Sequence, residues 1–207
     1  MDKNVLREIT YGVYVVSTQN GDKPTGCVVN SVMQVTYDTV AVSVNHSNFT
    51  NECIKKSKRF AISILGEHCD DNLIPVFGFQ SGRSTDKFST FKTKNIGGLE
   101  VLADSVGYIV CNVDDILETE THTVFLGKII DGGLLNKDDV MTYAYYHEVK
   151  KGKSPKAAPT YIDENIVESL AYKCQICGYV YKGDLTVEPD DFVCPVCKQP
   201  KSVFVKL

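Results

Sequence analysis

The chain has 207 residues, a net charge of −4 from 22 basic and 26 acidic side chains, and 43% hydrophobic residues, a composition typical of a soluble globular protein. The acidic excess argues against a surface that neutralises many phosphates, so no nucleic-acid partner is expected. Residues 1–10 lack the apolar core of a signal peptide, and no apolar run reaches membrane-spanning length, so no membrane partner is expected either. Four scattered cysteines and four clustered ones favour a reducing, cytoplasmic location.

Residues 11–145 contain repeated short segments rich in β-branched and aromatic residues, with turn residues between them. The strands predicted from them are 11–18, 32–36, 40–44, 60–65, 107–114, 123–131 and 141–145. Only short helices are predicted, at 3–9, 50–57 and 70–77, because no long stretch keeps a 3.6-residue apolar period. The pattern predicts a mainly β fold, an antiparallel barrel with a few peripheral helices.

The length favours a main domain with a small appendage. A basic stretch at residues 150–156 is followed by an acidic one at 163–168, and the domain boundary is expected in the second. The predicted organisation is a first domain over 1–162, a linker over 163–170 and a small domain over 171–207.

The small domain contains two Cys-x-x-Cys pairs, Cys174 with Cys177 and Cys194 with Cys197, separated by the 16 residues 178–193. Each pair can turn both sulfurs towards one point, and four thiolates make a tetrahedral site suited to zinc or iron. Disulfides or free thiols are the competing interpretation, which this specific spacing disfavours. A single iron held by four protein ligands has no open coordination position, so such a site can only pass an electron on.

The residues around these cysteines resemble rubredoxin. The similar parts are Cys-Gly-Tyr-Val-Tyr at 177–181, the run 189–197, and the later Lys201 and Phe204. The segment between the pairs is shorter than in free-standing rubredoxins, and Phe192 stands where those usually have Trp, so the chain is most similar to the short rubredoxin domain attached to proteins such as rubrerythrin. The resemblance implies one iron in the four-cysteine site, with zinc as the alternative.

Four segments of the larger domain carry a family resemblance. They are, in order, 25–36, 40–45 followed by Asn48 and Thr50, 81–88, and 121–127. With these segments, about residues 11–161 resemble the flavin reductase-like family. The resemblance implies an FMN-binding split β-barrel with Greek-key topology, and a homodimer. The basic run at 150–156 is then expected to pack back over the barrel.

The resemblance also implies which side chains bind FMN, a cofactor that needs hydroxyls, amides and a cation for its phosphate. The candidates are Asn30, Ser31, Asn45, Asn48, Thr50, Lys87 and His122. Lys87 matches a lysine that approaches the flavin, and His122, the candidate catalytic residue, could assist proton transfer. Other interpretations stay open: Asn30, Asn45 and Thr50 as turn or cap residues, Lys87 as a solvated lysine, and His122 as a structural histidine. The scattered Cys27, Cys53, Cys69 and Cys111 are expected to be small buried residues.

The two parts together predict an electron-transfer protein in which NAD(P)H reduces FMN, and FMN passes single electrons through the iron to an acceptor protein such as a flavodiiron oxygen or nitric oxide reductase. No G-x-G-x-x-G stretch opens a Rossmann unit, so NAD(P)H is expected to bind transiently over the flavin, as the resemblance implies. Two alternatives remain: a flavin reductase that releases reduced flavin and has a structural zinc, and a non-enzymatic zinc-ribbon binding module on a barrel without flavin.

Overall fold

The computed structural model describes residues 5, 6, 8–154, 158 and 171–206. The chain divides into two compact units, residues 1–161 and residues 162–207. The predicted domain boundaries stay a prediction, because the proposed linker at 163–170 lies outside the described residues.

The first unit contains nine strands and three short helices within its described residues. The strands are β1 (Tyr14–Asn20), β2 (Lys23–Val29), β3 (Val32–Thr36), β4 (Thr39–Asn45), β5 (Arg59–Ile64), β6 (Thr93–Ile96), β7 (Leu99–Leu102), β8 (Gly107–Glu118) and β9 (His122–Leu134). The helices are α1 (Phe49–Ser57), α2 (Leu73–Phe79) and α3 (Tyr143–Glu148).

Seven of these strands form one antiparallel sheet in the order β2-β1-β5-β8-β9-β4-β3. Strands from both halves of this order contribute to one buried cluster, including Val16, Val29, Val42, Phe60 and Phe125. A flat sheet would hold such distant strands apart, so the sheet curls around a common core, as in a barrel. Gly127 of β9 permits this packing, because a Cβ there would overlap the Phe60 ring.

The outer face of β1 is also buried. Val13 and Val15 pack with Leu73, Ile74 and Phe77 of the α2 region, and tyrosines of α3 border the same cluster. The hairpin of β6 and β7 covers Ala61 and Val110 on another part of the outer face. Its turn residues Gly97 and Gly98 have φ of +56° and +88°, a conformation that glycine adopts without steric cost. Covering elements on both sides explain why several strands are buried on both faces.

The second unit has a three-stranded antiparallel sheet in the order β11-β10-β12. The strands are β10 (Ala171–Cys174), β11 (Val180–Lys182) and β12 (Phe204–Lys206), with 3-10 turns at Leu185–Val187 and Lys201–Val203. Tyr179, Tyr181, Phe192 and Phe204 make edge-to-face contacts with one another around the buried Leu185. These rings and Leu185 form a miniature core.

The mainly β fold and most of the predicted strands are confirmed. The strand predicted at 141–145 is wrong, because α3 begins at Tyr143, where the Thr142 side chain accepts a hydrogen bond from Tyr145 N and starts a helix. The strands β2, β6 and β7 were not predicted. The helix predicted at 3–9 lies largely outside the described residues. None of the helices in the described ranges is long and apolar enough to cross a membrane.

Candidate functional site

Two adjoining pockets open on the first unit. The main pocket, of about 680 Å³ including its mouth, is bordered by Asn30, Asn45, Asn48 and His122, four of the predicted cofactor residues. The side pocket, of about 480 Å³, is bordered by Asn48, Thr50 and Lys87. Both pockets share Cys27, Asn48 and Gly78, so they form two compartments of one site.

Strand pairing brings Asn45 and His122 together. The two residues are direct partners where β4 ends and β9 begins. Asn45 Oδ1 accepts hydrogen bonds from the amide and the hydroxyl of Ser47, each at 2.8 Å, which forms the turn into α1. His122 is half-buried, and its Nδ1 lies 2.8 Å from Thr121 Oγ1. Asn45 is therefore a turn residue, as its residue type allowed, and it also borders the main pocket.

The start of α1 lies at the junction of the two pockets. Asn48 is the N-cap residue of this nine-residue helix, but its side chain makes no capping hydrogen bond and borders both pockets instead. Thr50, in the first turn, is buried and hydrogen-bonds the Cys27 thiol. Asn51 fixes the helix by donating to Val44 O at 2.9 Å. The positive end of the helix dipole consequently faces the side pocket, where it favours an anion.

Lys87 is not a solvated lysine, because it is only 3% exposed. Its Nζ donates to Gly26 O at 2.9 Å and to Phe77 O at 3.2 Å, which ties β2 to α2. Burial lowers the pKa of its ammonium group. Burial also raises the pKa of the neighbouring Cys27 thiol, which stays neutral. Lys87 thus provides a held cation at the wall of the side pocket.

Ser31 borders neither pocket. Its hydroxyl donates to Asn30 Oδ1 at 3.1 Å, and its carbonyl accepts from Ser43 N, so its observed contacts orient Asn30 and join neighbouring strands. The four scattered cysteines, Cys27, Cys53, Cys69 and Cys111, are all buried, as predicted.

One wall of the main pocket was missed by the sequence analysis. It is formed by Tyr143 and Tyr146 of α3, by Lys153 and by Ser154. The residue pattern at 141–145 predicts a strand that ends before Tyr146, so it gives Tyr143 and Tyr146 no common face. The helix places them one turn apart on the same face, and that i, i+3 spacing was the available signal. The described part of the basic run lies beside α3 and the main pocket: Ser154 bonds Tyr143, and Lys153 and Ser154 border the pocket.

The second unit brings its four predicted ligands together. The sulfurs of Cys174, Cys177, Cys194 and Cys197 all lie within 4.8 Å of one another. Two of the distances, Cys174 to Cys197 and Cys177 to Cys194, are 3.6 Å. A disulfide requires about 2.05 Å, whereas sulfurs at about 2.3 Å around a tetrahedral metal lie about 3.8 Å apart. The geometry therefore fits a metal held by four thiolates.

The two halves of this centre are built alike. Gly178 N donates to Cys174 O and Lys198 N donates to Cys194 O, both at 2.9 Å, and both donor residues have positive φ. Backbone amides also point at the sulfurs: Cys174 and Cys194 each accept from two, and Cys177 and Cys197 from one each. Such bonds stabilise the negative charge of thiolates around a metal. Cys174 and Cys194 are buried, whereas Cys177 is exposed, so the centre reaches the surface on one side.

Comparison with protein families matches both units. The model of the flavin reductase like domain matches residues 6–153, and that of the rubrerythrin, rubredoxin-like domain matches residues 172–205. The first match spans most of the chain. It supports flavin binding, and the polar groups and buried lysine of the pockets fit a flavin. The second match supports a four-cysteine metal site of the rubredoxin type.

Individual relatives agree with this assignment. The high molecular weight rubredoxin of Moorella thermoacetica is 38% identical over the whole of both chains. The ferric-chelate reductase (NAD(P)H) of Archaeoglobus fulgidus is 34% identical over 79% of this chain and 99% of its own. Among solved structures, flavin reductase PheA2 superposes with a TM-score of 0.59 at 26% identity, covering 69% of this chain and 93% of that one. The chain is therefore an oxidoreductase that takes part in electron transport. It belongs to the flavin reductase-like family and has a rubredoxin-like domain at its carboxyl side.

Proposed function

We propose that the protein is an NAD(P)H-dependent electron-transfer protein with FMN in the first unit and one iron in the second. The observation that carries the proposal is that one chain contains two kinds of site. The first is a pocket lined by polar groups and a buried lysine, and the second is a four-sulfur site that reaches the surface. FMN, when bound, accepts two electrons as a hydride and can release them singly to a one-electron metal.

In this proposal the side pocket binds the FMN phosphate. Lys87 supplies a positive charge that its two backbone acceptors keep in place. The α1 N-terminus supplies backbone amide groups, and Ser47, Ser81 and Thr50 lie around the same space. One held cation and one helix terminus suit a single phosphate, which favours FMN over a dinucleotide flavin.

The main pocket would then hold the flavin ring, with Asn30, Asn45, Asn48 and His122 at its polar edge. Val13, Val28, Val29 and Ile74 provide apolar walls for a flat ring. His122, with one ring nitrogen beside Thr121, is the candidate for holding or moving a proton. Ser31 contributes indirectly through Asn30. The nicotinamide donor would enter through the same open mouth.

The iron centre would pass electrons to an acceptor protein through the side where Cys177 is exposed. Ile176 and Val196 flank the sulfurs there and are 64% and 63% exposed, which gives an apolar contact surface. We extend the proposal to an acceptor of the flavodiiron oxygen or nitric oxide reductase type, by analogy with other attached rubredoxin domains.

Assembly and location complete the proposal. Met33 and Val35 of the edge strand β3, and Tyr37 just after it, are 62%, 46% and 96% exposed. A sheet edge with apolar side chains is a surface that a homodimer would cover. Four buried free thiols and a thiolate metal site are consistent with a reducing, cytoplasmic compartment.

The test is the visible absorption spectrum of the full chain, purified without oxygen, before and after NADH is added, with iron and zinc measured on the same sample. We expect flavin and iron absorption, both bleached by NADH. Zinc in the site, or iron that stays oxidised while the flavin bleaches, would favour the alternative of a flavin reductase with a structural metal centre. A sample without flavin that also fails to bind added FMN would contradict the proposal.

A paired substitution tests the route through the metal. Cys177→Ser should abolish electron delivery to an oxidised protein that accepts electrons from rubredoxin domains. NADH should still reduce the bound flavin at the wild-type rate. Cys53→Ala, which changes a buried cysteine of α1 outside the pockets, is the control and should keep both activities. Unchanged delivery by the Cys177 variant would rule out the relay.

A further inference from the structure

The exposed side of the four-cysteine centre carries two lysines as well as apolar side chains. Because the four sulfurs lie within 4.8 Å of one another, the residues next to them in sequence surround one centre. We call the exposed ligand and four of its exposed neighbours the knuckle face: Lys173, Ile176, Cys177, Val196 and Lys198. This surface combines apolar contact area with two positive charges.

The β10 strand places Lys173 on the outer face of the small sheet. Its strand partners are Val180 on β11 and Val205 on β12, and both are exposed. Residues directly opposite in an antiparallel ladder project from the same face, so the three side chains form a row across the sheet. Lys173 Cε also lies 3.9 Å from the position that a Cβ on Gly178 would occupy. The lysine side chain therefore reaches the turn that follows the exposed Cys177.

Lys198 occupies the equivalent turn in the other half of the centre. Its φ is +59° and its amide donates to Cys194 O at 2.9 Å, just as Gly178, with φ of +78°, donates to Cys174 O. Glycine adopts this conformation without steric cost, whereas lysine is strained in it. A lysine at this position puts a positive charge directly after the ligand Cys197, on the second side of the centre.

Neither ammonium group is neutralised within the part of the chain that the structure describes. No ion pair of the described residues includes Lys173 or Lys198. All four carboxylates of residues 171–206 lie between positions 184 and 191. Two of them, Asp184 and Glu188, accept hydrogen bonds inside the unit. The two lysines are therefore available to carboxylates of another protein.

The charge of the centre itself gives these lysines a task. Four thiolates around a divalent metal have a net negative charge, which repels carboxylates on any protein that approaches the exposed cysteine. Positive charges beside the contact oppose that repulsion. Complementary charges around an apolar contact decide mainly which partner docks and how fast it arrives. The position of the lysines thus favours a partner of one charge sign.

We propose that the knuckle face is a docking surface for an acidic protein. Its apolar residues contact an apolar patch of the partner, and Lys173 and Lys198 pair with carboxylates around that patch. The inference rests on the proposed function, because it names the chemistry of the acceptor that receives the electrons. Docking itself requires neither the flavin nor a redox-active metal, so the two proposals can fail separately.

The first experiment compares two acceptors with the same haem and opposite charge, basic cytochrome c and cytochrome c whose lysines have been succinylated. The full-length protein is wild type, the double variant Lys173→Gln with Lys198→Gln, or the control Lys206→Gln. Lys206 alternates with Val205 along β12, so it lies on the other face of the sheet. NADH is the donor, each electron reduces one haem iron(III) to iron(II), and the rate of Cys177→Ser is subtracted as the part that bypasses the centre.

Rates are measured at ionic strengths of about 0.01 M and about 0.15 M, where the Debye length is roughly 30 Å and roughly 8 Å. At the lower value we expect the double variant to reduce succinylated cytochrome c about tenfold more slowly than wild type, at the lower end of the range for electrostatic steering. It should reduce basic cytochrome c faster than wild type. Both differences should shrink at the higher ionic strength, and Lys206→Gln should match wild type with both acceptors.

Equal changes with both acceptors would show that the lysines act on the centre rather than on the partner, and would overturn the inference. Unchanged rates in the double variant would overturn it as well.

A second experiment follows docking without electron transfer, by NMR of the full-length protein loaded with zinc. Reduced succinylated cytochrome c should shift the amide signals of Ile176, Gly178 and Val196 in wild type, and these shifts should be lost in the double variant. Shifts confined to other residues, or equal shifts with basic cytochrome c, would contradict the proposed surface. If NADH reduces the flavin but no electrons reach either acceptor, the proposed function fails, and this titration still decides the docking inference.

Discussion

At the scale of single residues, Asn48 stands at a helix N-cap position but does not cap the helix. The residue occupies the N-cap of α1 with extended backbone, φ −74° and ψ 125°, yet its side chain leaves the helix amides uncapped and borders both pockets. Thr142 is the opposite case, because its side chain does cap α3 by accepting from Tyr145 N at 3.0 Å. Two residues of similar type at equivalent helix positions thus have different tasks.

We therefore expect Asn48→Ala to weaken FMN binding several-fold. The same change should alter the free energy of unfolding by less than about 0.5 kcal/mol, which is less than the usual loss when a capping side chain is removed. Thr142→Ala, the matched change, should lower the free energy of unfolding by about 1 kcal/mol, because it removes a cap. Urea unfolding and fluorescence titration measure the two quantities. A stability loss for Asn48→Ala as large as that for Thr142→Ala would mean that Asn48 acts through the helix.

At the scale of elements, Glu118 joins three parts of the barrel next to the site. The side chain lies at the end of β8 and contacts Lys55 of α1 at 2.7 Å, His46 at 3.0 Å and Thr123 of β9 at 2.8 Å. The hydrogen bond from Lys55, followed by that from Thr123, lowers the pKa of Glu118 to about 2. The end of β4, which carries Asn45, and the start of β9, which carries His122, are thereby linked to α1.

This pairing predicts an acid-dependent stability. A carboxyl whose folded pKa is depressed contributes stability above its ordinary value of 4.5, and loses that contribution as the pH falls towards about 2. The difference in unfolding free energy between wild type and Glu118→Gln should thus be largest above pH 4.5, fall as the pH falls through about 2, and vanish only below that pH. Urea unfolding at a series of pH values measures it, with Glu120→Gln, a nearby exposed carboxylate, as the control. A difference independent of pH would show that the pairing does not stabilise the fold.

At the scale of the whole molecule, the two units differ in what holds them together. The first has a core distributed over seven strands and their covering helices. The core of the second, over its described residues, has four buried side chains, two of which are the predicted metal ligands Cys174 and Cys194. A unit of that size has too little apolar burial to be stable alone, so its metal is also its main structural constraint.

Removing the metal with a chelator under reducing conditions should therefore unfold residues 171–206 and leave the barrel folded. Calorimetry should show loss of one transition and retention of the other, and NMR signals of Tyr179 and Phe204 should lose their dispersion. Adding iron(II) or zinc should restore both. If the barrel transition moved together with the metal transition, the two units would be stabilised as one.

The amino-acid sequence by itself determined the four-cysteine cluster, because the cysteines occur in two short segments whose spacing fixes which way the sulfurs point. It also determined the mainly β character, since alternation and β-branched residues act locally. The order of strands in the sheet was decided by tertiary pairing, and so was the convergence of Asn30, Asn48 and His122 on one pocket.

The same distinction explains the errors. Residues 141–145 alternate like a strand, but the Thr142 cap and the buried Met141 start a helix there, and only this helix brings Tyr143 next to Ser154 and His147. Lys87 is a surface residue type that became a buried cation because two backbone carbonyls, on β2 and α2, happen to face it. Packing determines which residues distant in sequence become hydrogen-bond partners, so local sequence patterns do not predict them.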